Sequence, residues 1–266
     1  MATFYDTHAH LASEADAERL PGIIARAQQA GIRRILCIGT DLASSRRCIE
    51  IAEEHEGIHA VVGCHPSDVE EAPDDIREAL RELASHPKVA ALGETGLDYF
   101  RLPGKQGGSP EEDARIKARQ ASLFRQHLEI AAELRLNCVI HTRESLEDTI
   151  EQLRPFADRV RGVFHCFVDD ANAMRRILAL GSLVSFTGIL TFKNAQTVRD
   201  TLSATPMGKF MLETDSPYLA PVPYRGKRCE PAYVKEIAET AAQVKGCTLT
   251  ELATATNATA HEFFRL

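Results

Sequence analysis

The first ten residues, MATFYDTHAH, have little of what a secretory leader needs, with neither a basic n-region nor an apolar h-region. The sequence also lacks any uninterrupted apolar stretch long enough to span a bilayer. Both absences lead us to expect a cytoplasmic protein with no membrane partner. The seven cysteines include no CxxC pair and no extracellular spacing pattern. Their odd number fits free thiols in a reducing compartment, four of them serving as small hydrophobes in apolar runs. Positive charge is scarce, since 31 Lys and Arg against 38 Asp and Glu leave a net charge of -7. This argues against an extended electrostatic grip on DNA or RNA, which normally shows as a basic face. A polyanionic substrate stays compatible, because divalent ions can supply positive charge locally. No strand-to-helix turn carries GxGxxG or GxxxxGK[ST], which sets aside dinucleotide and P-loop chemistry. No repeat, low-complexity segment or linker divides the chain, so residues 1–266 are read as one domain.

What the sequence does have is 44% apolar residues arranged in alternating short β-branched runs and amphipathic segments. Strands are expected at Thr3 to Thr7, Arg34 to Gly39, His59 to Gly63, Val89 to Gly93, Asn137 to Ile140, Gly162 to Phe164, Leu183 to Phe186 and Phe210 to Glu213. Helices are expected at Ala17 to Ala30, Ser44 to His55, Asp74 to Ser85, Ala114 to Leu134, Leu146 to Leu153, Ala171 to Leu180 and Ala195 to Leu202. Two more follow, Pro231 to Val244 closing the structure and Leu249 to Phe264 packing against its outside. Eight strands each followed by a helix give an α/β fold, a (β/α)₈ TIM barrel with an extra C-terminal helix; an open doubly wound sheet is the alternative. Gly104 to Gly108, GKQGG, reads as a mobile loop, either a lid or a plain surface insertion.

In such a barrel the C-terminal strand ends converge on one mouth. The first strand ends in DTHAH, where His8 and His10 alternate along extended chain and so face the same side. The third ends in GCHP with His65, the fourth in GETGLDY with Glu94 and the fifth in IHTR with His141. The sixth ends in FHCF with His165 and the eighth in ETDSPYL with Asp215. A single histidine at a strand end is usually a hydrogen-bonded structural residue. Five histidines and two carboxylates at six of eight strand ends are not explained by packing, because unpaired buried charges cost several kcal/mol. Six ligands exceed one tetrahedral site, so two cations are expected, with Glu94 as the bridge. His55, His59, His86, His127 and His261 are read as surface or capping residues.

DTHAHL, GCHP, GETGLDY, QxxxFxxHLEIA from Gln120, IHTR, FHCF, VSFTGILTFKNA, LETDSPYLAP and TNATAHEFF together resemble the TatD family of metal-dependent deoxyribonucleases, in the amidohydrolase superfamily, over essentially the whole chain. Glu94 stands where the phosphotriesterase-like hydrolases carry a carbamylated lysine, which separates the chain from that branch. The resemblance implies a divalent-metal-dependent nuclease that removes nucleotides from the 3′ end of single-stranded DNA. It implies that His8, His10 and Asp215 bind one metal, that His141 and His165 bind the other, and that Glu94 bridges them. His65 is implied as a phosphate or leaving-group contact. The metals expected are Mg²⁺ or Mn²⁺, with Zn²⁺ also compatible with these ligands. In the expected chemistry the cations activate a water for attack at phosphorus, with Asp215 as general base. Arg143, placed at the start of the next helix, would orient a phosphate or form a salt bridge.

Other cations expected near the mouth are Arg101, Lys105, Lys193, Arg225, Lys227 and Arg228, of which Lys193 and Arg228 are taken as substrate contacts and Arg101 and Lys105 as ordinary solvated charges. Tyr99, Phe100 and Tyr224 could stack a base, whereas Phe192 and Tyr218 are read as core. Two motifs depart from the family. HCFVDD puts Asp169 and Asp170 where a small residue and glycine are common, adding negative charge near a phosphate path, and Cys229 replaces the asparagine of GKRNEP. Single-stranded DNA is therefore the expected substrate, with no stable protein partner implied. The same scaffold also suits an amidase or a deacylase of aminoacyl-tRNA. A non-catalytic metal-binding interaction protein is the reading from outside the enzymes.

Overall fold

The computed structural model describes residues 2–13 and 18–266. Ala17, the expected start of the first helix, lies outside the described residues. Among them, eight parallel strands pair in chain order: β1 (Phe4–Ala9), β2 (Ile32–Ile38), β3 (Ile58–Val62), β4 (Val89–Asp98), β5 (Asn137–Arg143), β6 (Gly162–Phe164), β7 (Leu183–Phe186) and β8 (Phe210–Leu212). The helices α1 (Leu20–Gln29), α2 (Leu42–Glu54), α3 (Arg77–Ala84), α4 (Pro110–Leu134), α5 (Leu146–Leu153), α6 (Ala171–Ala179), α7 (Gln196–Ala204) and α8 (Val234–Lys245) follow the strands in turn. The expected (β/α)₈ barrel is therefore the one observed. Among the described residues no helix is long and apolar enough to cross a membrane.

The barrel closes at the β1–β8 seam in a way specific to its upper end. Ala9 bridges Ser216, the Asp215 amide donates to the His8 carbonyl at 2.9 Å, and the His10 amide donates to the Ser216 carbonyl at 2.8 Å. The buried Asp6 carboxylate then takes the Thr214 amide at 2.9 Å and its hydroxyl at 2.6 Å. The seam is thus tied where metal-ligand candidates from β1 and β8 meet.

Strand alternation divides the core in two. On β2, Ile35 and Cys37 face the helices, while Leu36 and Ile38 face the barrel interior. That interior also receives Ala260, Phe263 and Phe264 from the last helix, α9 (Leu249–Phe264). So α9 does not lie against the outside, as its position after the closing helix suggested. It plugs the end of the barrel opposite the seam bonds, because the apolar interior is otherwise open to water there. Asn257 takes the Tyr5 amide at 3.2 Å and donates to the Thr3 carbonyl at 2.8 Å, and Asn137 donates to the Phe263 carbonyl at 2.6 Å.

Three expected boundaries are corrected. β4 and β5 run past their expected ends, paired from Thr95–Ile140 through Asp98–Arg143, so Thr142 and Arg143 extend β5 and do not begin a helix. The Ser145 hydroxyl stops the pair by donating to the Leu97 carbonyl at 2.6 Å. Helix α4 starts at Pro110, four residues early, because Ser109 and Glu112 form a capping box with proline at the first position. The GKQGG stretch is a 3₁₀ turn over Pro103–Gln106, with the Gly104 amide held by Asp113 at 2.7 Å.

The plug gives a stability prediction. Phe263 is 1% exposed inside the barrel, and Phe263→Ala is expected to cost about 3 kcal/mol or more in urea denaturation, with the cleft at the opposite end unchanged.

Candidate metal centre

The fourth strand aims its carboxylate inward through two glycines. Gly93 and Gly96 flank Glu94 and Thr95 with φ of 129° and 138°, in the region open to glycine. A Cβ at Gly93 would overlap the Val139 carbonyl and one at Gly96 the His141 carbonyl. The β4–β5 register slips between Leu92 and Thr95, and the Gly93–Glu94 peptide is cis. The slip is a bulge that re-aims a side chain at a barrel rim, and it leaves Glu94 3% exposed at the centre of the site.

Around Glu94 the expected residues converge. His165 Nε2 lies 2.7 Å, His141 Nδ1 2.9 Å and His65 Nε2 3.3 Å from Oε1. His8 Nε2 lies 3.2 Å and His10 Nε2 3.6 Å from Oε2. Asp215 Oδ1 stands 3.7 Å from His8 Nε2 and 3.4 Å from His10 Nε2. Ring nitrogens also face one another, His8 to His10 at 3.3 Å and His141 to His165 at 3.2 Å. Asp215 adopts φ 58°, a left-handed conformation uncommon outside glycine and at home in over-determined functional sites.

Such a cluster holds together only with positive charge among its donors, as protons or as cations. Burial opposes the Glu94 carboxylate, yet the neighbouring His165, His65 and His8 hold its pKa well below the ordinary carboxylate range. Burial likewise opposes charge on His10, but the Asp215 hydrogen bond and the Glu94 charge raise it to about 9. His165 is raised well above its usual value, against burial, by Glu94 and Glu213. His8 is lowered, first by burial and then by the charge of His165. Imidazole nitrogens and carboxylate oxygens are the donors that divalent first-row metals and Mg²⁺ accept. Three overlapping groups have one donor atom per residue mutually within 4.8 Å: His8, His10 and Glu94; His65, Glu94 and His141; and His8, His165 and Glu213. The donor set fits divalent ions.

Residues behind the ligand candidates went unread in the sequence. Asp98, four residues past Glu94 on β4, takes His141 Nε2 at 3.0 Å through Oδ2. The His10 Nδ1 faces the Ile38 carbonyl at 3.3 Å. Glu213 accepts the Cys166 amide at 2.7 Å. Helix α4 props two of the loops. Gln120 binds the Asp98 amide and carbonyl, each at 3.0 Å, and the Pro66 carbonyl at 3.2 Å. His127, expected at the surface, is fully buried; it accepts the Cys64 amide at 3.0 Å and faces the Leu123 carbonyl at 2.7 Å. Burial lowers its pKa to about 4, so it is a neutral strut beneath His65. Gln120 and His127 stand seven residues apart, two turns on one face of α4. That spacing in QxxxFxxHLEIA was the available signal.

A cleft of about 930 Å³ opens over Glu94, lined by His10, His65, His141, His165 and Asp215 and by Arg101, Arg143 and Gln106. The GKQGG turn therefore borders the site. Arg143 lays its guanidinium 3.7 Å above the Phe100 ring and forms no salt bridge among the described residues. Lys105 pairs with Glu144, and Arg225 stacks 3.6 Å over Phe192. Lys193 and Arg228 are exposed but do not line the cleft. Tyr218, expected in the core, is 61% exposed on the cleft wall, because β8 ends at Leu212 and the chain has already turned outward. The two family departures sit away from the cleft wall. Asp170 caps α6 by accepting the Asn172 and Ala173 amides, each at 2.9 Å, and the Asp169 carbonyl accepts Thr201 Oγ1 at 3.0 Å. Cys229 is buried with its amide on the Pro217 carbonyl at 3.0 Å.

Comparison with known proteins agrees with this geometry. The family model described as TatD related DNase matches residues 5–265. The uncharacterized metal-dependent hydrolase YabD of Bacillus subtilis is 36% identical over 263 residues, which are 98% of this chain and 99% of that protein. The 3'-5' ssDNA/RNA exonuclease TatD of Shigella flexneri is 32% identical over 266 residues, 98% of each chain. The crystal structure of YjjV, a TatD homolog from Escherichia coli K12, superposes with a TM-score of 0.89 at 25% identity, covering 99% of this chain and 98% of that one. Barrel, donor set and relatives define a metal-dependent hydrolase. Within that class, the chain belongs to the TatD-related DNase family.

The bulge supplies the test of this geometry. Gly96→Ala is expected to force β4 from β5, lowering stability by more than about 2 kcal/mol and weakening Mn²⁺ uptake in calorimetric titration. An alanine at Gly107, whose positive φ faces open space, should leave Mn²⁺ uptake intact.

Proposed function

We propose that this protein is a two-metal phosphodiesterase that removes nucleotides from the 3′ end of single-stranded DNA in the cytoplasm. The observation that carries the reading is the division of the Glu94 carboxylate, with Oε2 toward His8 and His10 and Oε1 toward His141 and His165. Such a division suits a bridge between two ions, one held by His8, His10 and Asp215 and the other by His141 and His165. When bound, Mg²⁺ or Mn²⁺, or Zn²⁺ on the same ligands, would lower the pKa of a water and neutralise charge on the phosphate.

The protein's own groups then have distinct tasks. Asp215 Oδ1, close to His8 and His10, is the base that accepts the proton of the attacking water. His65 Nδ1 receives the Ser67 amide proton at 3.0 Å, so its Nε2 carries the ring proton and is a donor. A donor Nε2 stands outside the ligand set and fits a contact to a phosphate or leaving oxygen. Arg143, fixed on Phe100, and Arg101 bring positive charge to the cleft of a chain whose net charge is -7. Lys193 and Arg228 would act farther along the strand, as backbone contacts outside the cleft. The name of the Shigella relative includes RNA, which adds single-stranded RNA to the substrates worth assaying.

The test is hydrolysis of 5′-labelled single-stranded DNA with Mg²⁺ or Mn²⁺. Stepwise release of mononucleotides from the 3′ end, abolished by a chelator, is expected. Asp215→Ala should lower kcat by at least about 10²-fold, and His65→Ala should lower kcat/KM by roughly 10²-fold with metal uptake unchanged. DNA left intact while an Asp215-dependent amide or carboxylic ester hydrolysis proceeds would overturn the nuclease reading.

A further inference from the structure

A histidine that binds a metal through one nitrogen ordinarily donates its other N–H to a carboxylate or carbonyl, which fixes the ring and raises its basicity. Two of the four ligand candidates have such partners, His141 in Asp98 and His10 in the Ile38 carbonyl. His8 and His165 do not. Each points Nε2 at Glu94, and in each the second nitrogen, Nδ1, is buried without a hydrogen-bond partner among the described residues. An unpaired buried N–H is unfavourable, so each ring calls for an acceptor. The two rings are stacked, with centroids 4.1 Å apart and planes 10° apart.

Behind this pair stands Glu213, 1% exposed, directly after β8. Its Oε1 accepts the Cys166 amide at 2.7 Å and lies 3.6 Å from His165 Nδ1, while Oε2 is 3.5 Å from Thr7 Oγ1. A nitrogen of each ring and a Glu213 oxygen lie mutually within 4.8 Å. We infer that Glu213 is a positioning residue shared by the two metal sets, one carboxylate orienting His8 of the first and His165 of the second. This rests on the two-metal reading above and adds that the two ions are not bound independently. Asp98, by contrast, serves the ring of His141 alone.

The experiment is calorimetric titration of metal-free protein with Mn²⁺, in wild type, Glu213→Gln and Asp98→Asn. Two equivalents are expected in wild type. Glu213→Gln should weaken both by about 10- to 100-fold, while Asp98→Asn weakens one. Unchanged affinities in Glu213→Gln, or a loss confined to one ion, would overturn the inference and leave the two-metal reading standing. A wild type that takes up a single equivalent would overturn both. If Glu213→Gln fails to fold by circular dichroism, Glu213→Asp, which keeps the charge but shortens its reach, is expected to show the same double loss. Histidine nitrogen NMR of the Mg²⁺-loaded wild type is an independent check: two protected, hydrogen-bonded Nδ1–H signals from His8 and His165 are expected, and their absence counts against Glu213.

Discussion

The buried carboxylate of Glu94 is the constraint around which this structure is arranged. A single negative charge 3% exposed inside a barrel is strongly unfavourable alone, and five imidazoles brought from β1, β3, β5 and β6 surround it. Those imidazoles would in turn repel one another without it. Each side of the cluster requires the other, so the site is built as a unit. The local condition is the pair of glycines on β4, which let backbone approach backbone closely enough for the bulge to turn Glu94 inward.

The rest of the barrel separates this polar centre from the apolar interior. At one end α9 inserts Phe263 and Phe264 among the interior side chains of the strands. At the other, Asp6 binds Thr214 across the seam and thereby holds Asp215 against His8. Gln120 and His127 on α4 fix the chain beside Asp98 and His65 from outside the strands. This division between a supporting end and a chemical end is the general habit of the fold. Here it is enforced by the buried polar side chains of Asp6, Gln120 and His127, which bind backbone groups of the site loops.

The charge balance of the surface is compatible with a polyanion because the cationic residues that matter are few and placed. Arg101 and Arg143 stand on the cleft wall, whereas Lys105 and Arg225 are occupied by Glu144 and Phe192. Asp170, which in sequence adds negative charge near the site, spends its carboxylate on capping α6. Tyr218 and Phe100 are exposed at the same mouth.

The sequence alone determined the barrel and the residues at its strand ends, because both depend on local pattern: short β-branched apolar runs, helix stops, and histidines or carboxylates at the close of six of the eight runs. His8, His10, Glu94, His141, His165 and Asp215 were legible for that reason, as was His65. Tertiary structure alone decided what depends on distant neighbours. Asp98 and Glu213 read as ordinary acids until β5 and β6 place His141 and His165 against them. His127 looked like a surface residue until Cys64 arrived above it, and Tyr218 looked like core until β8 ended early. α9 carries an amphipathic pattern that fits the outside of a barrel as well as its open end. Only the assembled strands, with an apolar interior to be covered, fix which of the two it fills.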